Sequence, residues 1–142
     1  MQPVDFDSAL GTILQKDDRY AVNAYVFIRK SLDYTVDLYK KKAPRGKQHV
    51  RGGELLNGLR LYALEQYGPI TKTVLNQWGI STTNDIGQIV FNLVNEGVLG
   101  KTEEDSVADF DEVYSFENAF QVPFLPESKR QIRQTSLVES SD

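Results

Sequence analysis

Between residues 4 and 96, hydrophobic residues recur every three or four positions, which is the period of an amphipathic α-helix. The pattern is interrupted by KDD at 16–18, by APRG at 43–46 and by Gly68 with Pro69. Thr82 with Asp85 forms a capping-box pattern before its last part. The spacing and these breaks predict helices at about 4–15, 19–41, 52–67, 70–78 and 83–96.

After Gly97 the hydrophobic period changes from helical to alternating. Phe110, Tyr114 and Phe116 stand at even positions, with acidic residues and Ser115 mostly between them, which is typical of a strand with one buried face. Together with a short apolar stretch after Gly97, this predicts a β-hairpin at about 98–117. Three helices followed by a hairpin is the order of a winged-helix unit. The expected fold is therefore mainly α with a C-terminal β-hairpin (α+β), a winged-helix-like unit preceded by two helices.

A chain of 142 residues suits a single core. We expect one compact domain over residues 1–126, followed by a mobile tail over 127–142, where no period is sustained. The inward positions of the predicted elements give the expected core: Phe27, Leu56, Leu59, Tyr62, Leu75, Trp78, Ile89, Val90, Leu93, Val94 and Phe116.

The composition excludes several kinds of site. The chain has no cysteine, which rules out disulfides, cysteine-ligated zinc and iron–sulfur clusters. No apolar run approaches the roughly 20 residues that span a bilayer. The first residues, MQPVDFDSALG, lack the basic and apolar regions of a signal peptide. These features predict a cytoplasmic protein.

Catalytic motifs are absent from the sequence. His49 is the one histidine, and it precedes a predicted helix, where it could bind phosphate, act as a general base, or simply pack or cap. Neither a G-x-S-x-G elbow nor a phosphate-binding G-x-x-x-x-G-K-[ST] loop occurs. We therefore expect a protein that is not an enzyme and needs no cofactor.

The acidic residues of the predicted hairpin do not follow a metal-binding pattern. They are oxygen ligands of the kind that calcium and magnesium accept, but they lack the D-x-[DN]-x-[DN]-G spacing. A solvated acidic hairpin without a metal is the favoured interpretation. The residues concerned are Glu103, Glu104, Asp105, Asp109, Asp111 and Glu112.

The predicted recognition helix carries the wrong charge for DNA. Residues 82–98 contain Asp85 and Glu96 and no basic residue, whereas phosphate neutralisation supplies most of the affinity for a duplex. One face of this helix is expected in the core, and the other is a candidate surface for a protein partner. That surface comprises Asp85, Gln88, Asn92 and Asn95.

A basic segment at residues 40–51 keeps a second hypothesis open. It could contact nucleic-acid phosphates, or it could be a solvated loop. A non-enzymatic protein–protein binding module is the leading hypothesis, a nucleic-acid-binding winged-helix-like protein is the alternative, and a homodimer through the tyrosine-rich second helix is a further option. The candidate phosphate contacts are Lys40, Lys41, Lys42, Arg45, Lys47, His49 and Arg51.

Several stretches resemble a family of small, uncharacterised bacterial proteins of about this length, of the planctomycete and verrucomicrobial type. The pieces that carry the resemblance are DDRYAVNAYVFIRKSLDYT, GGELLNGLRLYALEQYGP, VLNQWGI, DIGQIVFNLVNEGVLGKTEEDS and FDEVY. The resemblance implies one self-contained unit. It implies no activity, cofactor or site residue, because none is assigned to that family.

Overall fold

All regular structure in the described residues is helical. The computed structural model describes residues 5–39, 50–99 and 107–126, and no strand occurs in these ranges. The α-helices are α1 (Phe6–Lys16), α2 (Val22–Tyr39), α3 (Gly52–Tyr67), α4 (Thr71–Gln77), α5 (Thr83–Asn95) and α6 (Phe116–Phe120). Short 3₁₀ helices lie at Gly68–Ile70, Val107–Phe110 and Val122–Phe124.

The predicted C-terminal hairpin is wrong, and with it the α+β class and the winged-helix-like unit. The alternating aromatic residues do not share one face of a strand, because each enters a different environment. Phe110 ends a 3₁₀ helix and is fully buried, Tyr114 lies in an irregular stretch, and Phe116 begins α6. A period of two over so few residues does not distinguish a strand from three separate contacts.

Side-chain capping explains where the C-terminal helix starts. The Ser115 hydroxyl accepts a hydrogen bond from the backbone N–H of Asn118 at 3.1 Å, as an N-cap does. Phe116, Ala119 and Phe120 then follow at helical spacing and are buried. This cap and spacing favour a helical turn over a strand at the position where the sequence predicts the second hairpin strand.

The helix boundaries before residue 96 follow the predicted signals closely. At the start of α5, the Asp85 N–H donates to Thr82 Oγ1 and the Thr82 N–H donates to the Asp85 carboxylate, which is the predicted capping box. Gly79 and Gly97 follow α4 and α5 with φ values of 93° and 77°, in the left-handed region that glycine adopts readily. Local chemistry therefore sets these ends.

The described helices share one hydrophobic core. Helix α2 packs along α3, and the inner face of α5, with Ile86, Ile89 and Leu93 fully buried, lies against both. Of the expected core residues, Tyr62, Trp78, Val90 and Val94 are only partly buried. The centre is filled by large side chains that the expected core list omits: Tyr25, Ile28, Ile80, Ile86, Phe110 and Phe120.

Two further expectations concern the C-terminal tail and membrane-spanning helices. The tail predicted over 127–142 lies outside the described residues. Within the described ranges, no helix has the length and apolar character that crossing a bilayer requires.

Candidate functional site: a groove at the start of helix α5

An open groove of about 720 Å³ lies where α5 begins, between the turn preceding this helix and the stretch that leads into α6. Hydroxyl and amide groups, two carboxylates and two aromatic rings meet in it. The lining residues are Ser81, Thr82, Thr83, Asn84, Asp111, Glu112, Tyr114, Ser115 and Phe116.

The first wall is the capped N-terminus of α5. The Asp85 carboxylate accepts hydrogen bonds from the backbone N–H groups of Ser81 at 2.9 Å and Thr82 at 3.1 Å. It also accepts from the hydroxyl of Tyr20 on the α1–α2 connection at 2.7 Å. A negative charge inside the fold therefore already complements the positive end of the helix dipole.

Two hydrogen bonds tie the second wall to the first. The backbone N–H of Val113 donates to Thr83 Oγ1 at 3.1 Å, and the Asn84 side-chain amide donates to the Asp111 carboxylate. Thr83 is buried, so its hydroxyl is well placed to hold the irregular stretch in position. The groove is thus formed by the folded chain itself, before any ligand binds.

Aromatic residues anchor the deeper part of the second wall. The Tyr114 hydroxyl donates to the Leu56 carbonyl oxygen on α3 at 2.8 Å, and burial raises the pKa of Tyr114 above its usual value. The buried ring of Phe116 meets Phe120 edge to face at 5.0 Å between centroids. These contacts fix the rings whose outer sides line the groove.

One inserted ring fixes the chain just before the second wall. Phe110 lies between α3 and α5, against two glycines that leave room for it. A Cβ atom at Gly87 would fall 2.7 Å from the Cβ atom of Phe110, and one at Gly52 would fall 3.1 Å from its ring. Any larger residue at position 52 or 87 would press on the ring, so the ring is held closely between the two helices. Phe110 therefore fixes the point at which residues 111–116 leave the core.

The groove has a negative rim. Asp111 and Glu112 are exposed, and neither of the ion pairs among the described residues involves them. Residues 73–99 and 107–126 contain no lysine or arginine. Glu112 also adopts a φ of 48°, in the left-handed region that non-glycine residues rarely enter. The rim is therefore acidic, with no neighbouring basic residue on these segments to offset it.

Residues proposed as a partner surface on α5 make contacts within the fold. Asp85 accepts the three hydrogen bonds described above. The Asn92 side-chain amide donates to the carboxylate of Asp17 and to the hydroxyl of Tyr25, each at 3.0 Å. Gln88 is half-buried, and Asn95 is exposed. Asp85 and Asn92 thus stabilise the packing of α5 on the α1–α2 connection, and whether this face also meets a partner stays a prediction.

An ion pair extends the contacts of Asn92. The Arg19 guanidinium donates to both carboxylate oxygens of Asp17, at 2.8 and 2.7 Å. These bonds, with the one from Asn92, hold the pKa of Asp17 well below its usual value. The pair fixes the connection between α1 and α2 against α5.

The predicted phosphate contacts fall mostly outside the described residues. This applies to Lys40, Lys41, Lys42, Arg45, Lys47 and His49. Arg51 is described, and its backbone N–H donates to Glu54 Oε1 at 3.1 Å at the start of α3. In the described part of the chain, no group of histidine and acidic side chains is arranged to hold a metal ion.

A second surface feature is a cluster of aromatic rings where α2, α3 and α4 meet. The buried ring of Phe27 lies 5.5 Å from both Tyr62 and Trp78 between centroids, and 5.9 Å from Tyr67. Tyr34 extends the cluster through Tyr62 at 5.2 Å. The other four rings, which are partly exposed, are those of Tyr34, Tyr62, Tyr67 and Trp78. The cluster therefore covers the core and also leaves aromatic surface exposed to solvent.

Comparison with known proteins adds no relative: no family model, curated protein or solved structure matches the chain. The resemblance to the bacterial family stays a prediction. The function of the groove must therefore be argued from its own residues.

The sequence did not predict the groove, although one residue of the predicted partner surface, Asp85, lies beside it. Its second wall depends on where Phe110 inserts, and no local pattern gives that contact. One signal was available: Ser115 followed by Phe116, Ala119 and Phe120 has the cap and spacing of a helix start, which would have placed the wall outside a strand.

Proposed function

We propose that this protein is a non-enzymatic binding module of the cytoplasm, and that its groove holds a segment of a protein partner. The observation that carries the proposal is the preformed groove of about 720 Å³, whose two walls are joined by the Thr83–Val113 and Asn84–Asp111 hydrogen bonds. A concave surface that combines aromatic rings with a few fixed polar groups is typical of ligand sites.

The groove chemistry favours binding over catalysis. Its lining offers hydroxyls, one amide and two carboxylates, and none of its residues is a histidine, lysine or cysteine. A serine or threonine hydroxyl needs an adjacent base to become a nucleophile. The carboxylate of Asp85, close to these hydroxyls, already accepts hydrogen bonds from Tyr20 and the helix cap.

The charge of the groove favours a protein over nucleic acid as its ligand. Asp111 and Glu112 would repel phosphates, and residues 73–99 and 107–126, which form the two groove walls, contain no lysine or arginine. The nucleic-acid alternative depends on the basic segment 40–51, of which only residues 50 and 51 are described. It remains a separate hypothesis, and no contact among the described residues favours it.

A site-specific photo-crosslinker tests the proposal. Placed at Val113, which is 46% exposed beside the groove, it should form adducts with a reproducible partner in the native organism. The matched control is Leu38 on α2, which is 44% exposed and outside the groove lining.

Blocking the groove sharpens this experiment. Ser81→Trp should fill the groove from its exposed edge and abolish the Val113 adducts, because only the backbone of Ser81 is used in capping. Equal labelling from Val113 and Leu38, or adducts unaffected by Ser81→Trp, would contradict a partner site in the groove.

A further inference from the structure

We infer that the groove is selective for an extended peptide segment in which an arginine or lysine stands next to an apolar residue. This inference rests on the proposed function and names the chemistry of the partner. The charges and the apolar surface of the groove carry it independently of each other.

The rim supplies the charge selectivity. Two consecutive carboxylates, Asp111 and Glu112, stand at the groove edge, and no basic side chain of residues 73–99 or 107–126 neutralises them. The Asn84 amide holds Asp111 in place, which leaves its second oxygen available to a donor on the ligand. An arginine or lysine side chain is complementary in charge to these two adjacent carboxylates, of which Asp111 is held in place by Asn84.

The N-terminus of α5 does not make the groove an anion site. A helix N-terminus ordinarily favours negative ligands because its first N–H groups lack intrahelical partners. Here the first turn of α5 already carries a carboxylate, that of Asp85, which the N–H groups of Ser81 and Thr82 just before the helix hold in place. An incoming anion would meet three carboxylates around this end of α5, so the groove favours cations.

The second wall of the groove supplies selectivity for an apolar side chain of the ligand. The partly exposed ring of Tyr114 lines the groove beside the largely buried Phe116, and apolar atoms make up most of the exposed lining. Val113 is exposed beside them and extends the apolar surface. An aliphatic side chain adjacent to the basic residue would cover the exposed parts of Tyr114 and Val113 while the charge remains at the rim. Burial of this apolar surface supplies affinity that exposed charges alone lack.

Designed peptides test the inference directly. The probe is a short, fluorescein-labelled synthetic peptide of alternating arginine and leucine. Matched peptides replace arginine by glutamate, or arginine by serine, or leucine by serine. Fluorescence anisotropy gives each dissociation constant, and amide chemical shifts of the whole protein show whether Thr83, Asn84 and residues 111–116 respond.

The expected order is clear. The arginine–leucine peptide should bind best, and loss of either the basic or the apolar residues should weaken binding several-fold. Asp111→Asn and Glu112→Gln should each weaken it about two- to five-fold, because exposed ion pairs contribute little individually. Glu65→Gln, which removes an exposed charge on α3 outside the groove lining, should leave binding unchanged.

Two failures are distinguishable. If the serine–leucine peptide shifts the groove amides and binds as tightly as the arginine–leucine peptide, the basic ligand class is refuted while the groove remains a peptide site. If no peptide shifts those amides, or if Glu65→Gln weakens binding as much as Glu112→Gln does, both the inference and the groove assignment fail. Thermal melts of each variant confirm that it is folded.

Discussion

The backbone of Gly58 on α3 lies directly against the side chain of Thr35 on α2. A Cβ atom at position 58 would overlap the Thr35 hydroxyl oxygen, and that hydroxyl also donates to the Ser31 carbonyl oxygen at 2.7 Å. This contact between the two longest helices of the described residues therefore requires glycine at position 58.

Gly58→Ala should destabilise the protein by about 1–3 kcal/mol, because the overlap outweighs the gain in helix propensity. Gly11→Ala is the matched control on α1, where a Cβ atom would meet nothing within 4 Å. It should stabilise the protein by about 0.5–1 kcal/mol. Urea denaturation of both variants measures the difference, and a Gly58→Ala protein as stable as Gly11→Ala would refute the close contact.

Removing the inserted ring should disturb both the core and the groove. Phe110→Ala should cost about 3–5 kcal/mol, as for other buried aromatic residues. Gly87→Ala should cost about 1–3 kcal/mol by displacing the ring, since its Cβ atom would fall 2.7 Å from Phe110. Thermal unfolding measures both variants. If Gly87→Ala is neutral while Phe110→Ala is severe, Phe110 does not lie where its contact with α5 places it.

The Asp17 carboxyl should make stability depend on acid pH. Its folded pKa is below the usual 3.8 because of Arg19 and Asn92, so its contribution is complete above pH 3.8 and is lost as the pH falls below that value. Asp17→Asn should be less stable than wild type at neutral pH, and the gap should narrow in acid.

Urea midpoints measured from neutral pH down through the acid range provide this test. Asp33→Asn is the control, since Asp33 is exposed on α2 and takes no part in the ion pairs of the described residues. A gap between wild type and Asp17→Asn that stays constant in acid would show that the ion pair does not stabilise the fold.

Trp78 should behave as the edge of the core rather than its centre. Because it is only partly buried against Phe27 and Tyr67, Trp78→Ala should cost about 1–3 kcal/mol, less than a fully buried ring. Trp78→Phe should recover most of this by keeping a ring in contact. Thermal melts of both variants test this. A loss of stability as large as that of Phe110→Ala would show that Trp78 lies in the core, and no loss would show that its ring does not stabilise the fold.

The sequence predicted the helices because their signals are local. The capping box of Thr82 and Asp85, and glycines at positions 68, 79 and 97, lie within a few residues of the boundaries they set. The apolar period likewise identified the buried faces of α2, α3 and α5.

What the sequence missed depends on contacts between distant residues. Phe110 enters a space left by Gly52 and Gly87, and Tyr114 binds the carbonyl of Leu56. Gly52, Gly87 and Leu56 are all distant from Phe110 and Tyr114 in sequence, so no local pattern indicates these contacts. The spacing of the aromatic residues alone therefore predicted a strand. The surface predicted on α5 does not include the groove for the same reason: the second wall comes from residues 111–116, remote from α5 in sequence.

The second groove wall is attached by the inserted ring of Phe110 and a few side-chain hydrogen bonds, rather than by a backbone ladder, among the described residues. Such a segment opens at a lower free-energy cost than the helices beneath it unfold. If the groove holds a peptide as proposed, the affinity includes the fraction of molecules in which the wall is closed. Substitutions at Gly52 or Gly87, which lie outside the groove lining, would then weaken binding by depopulating the closed state.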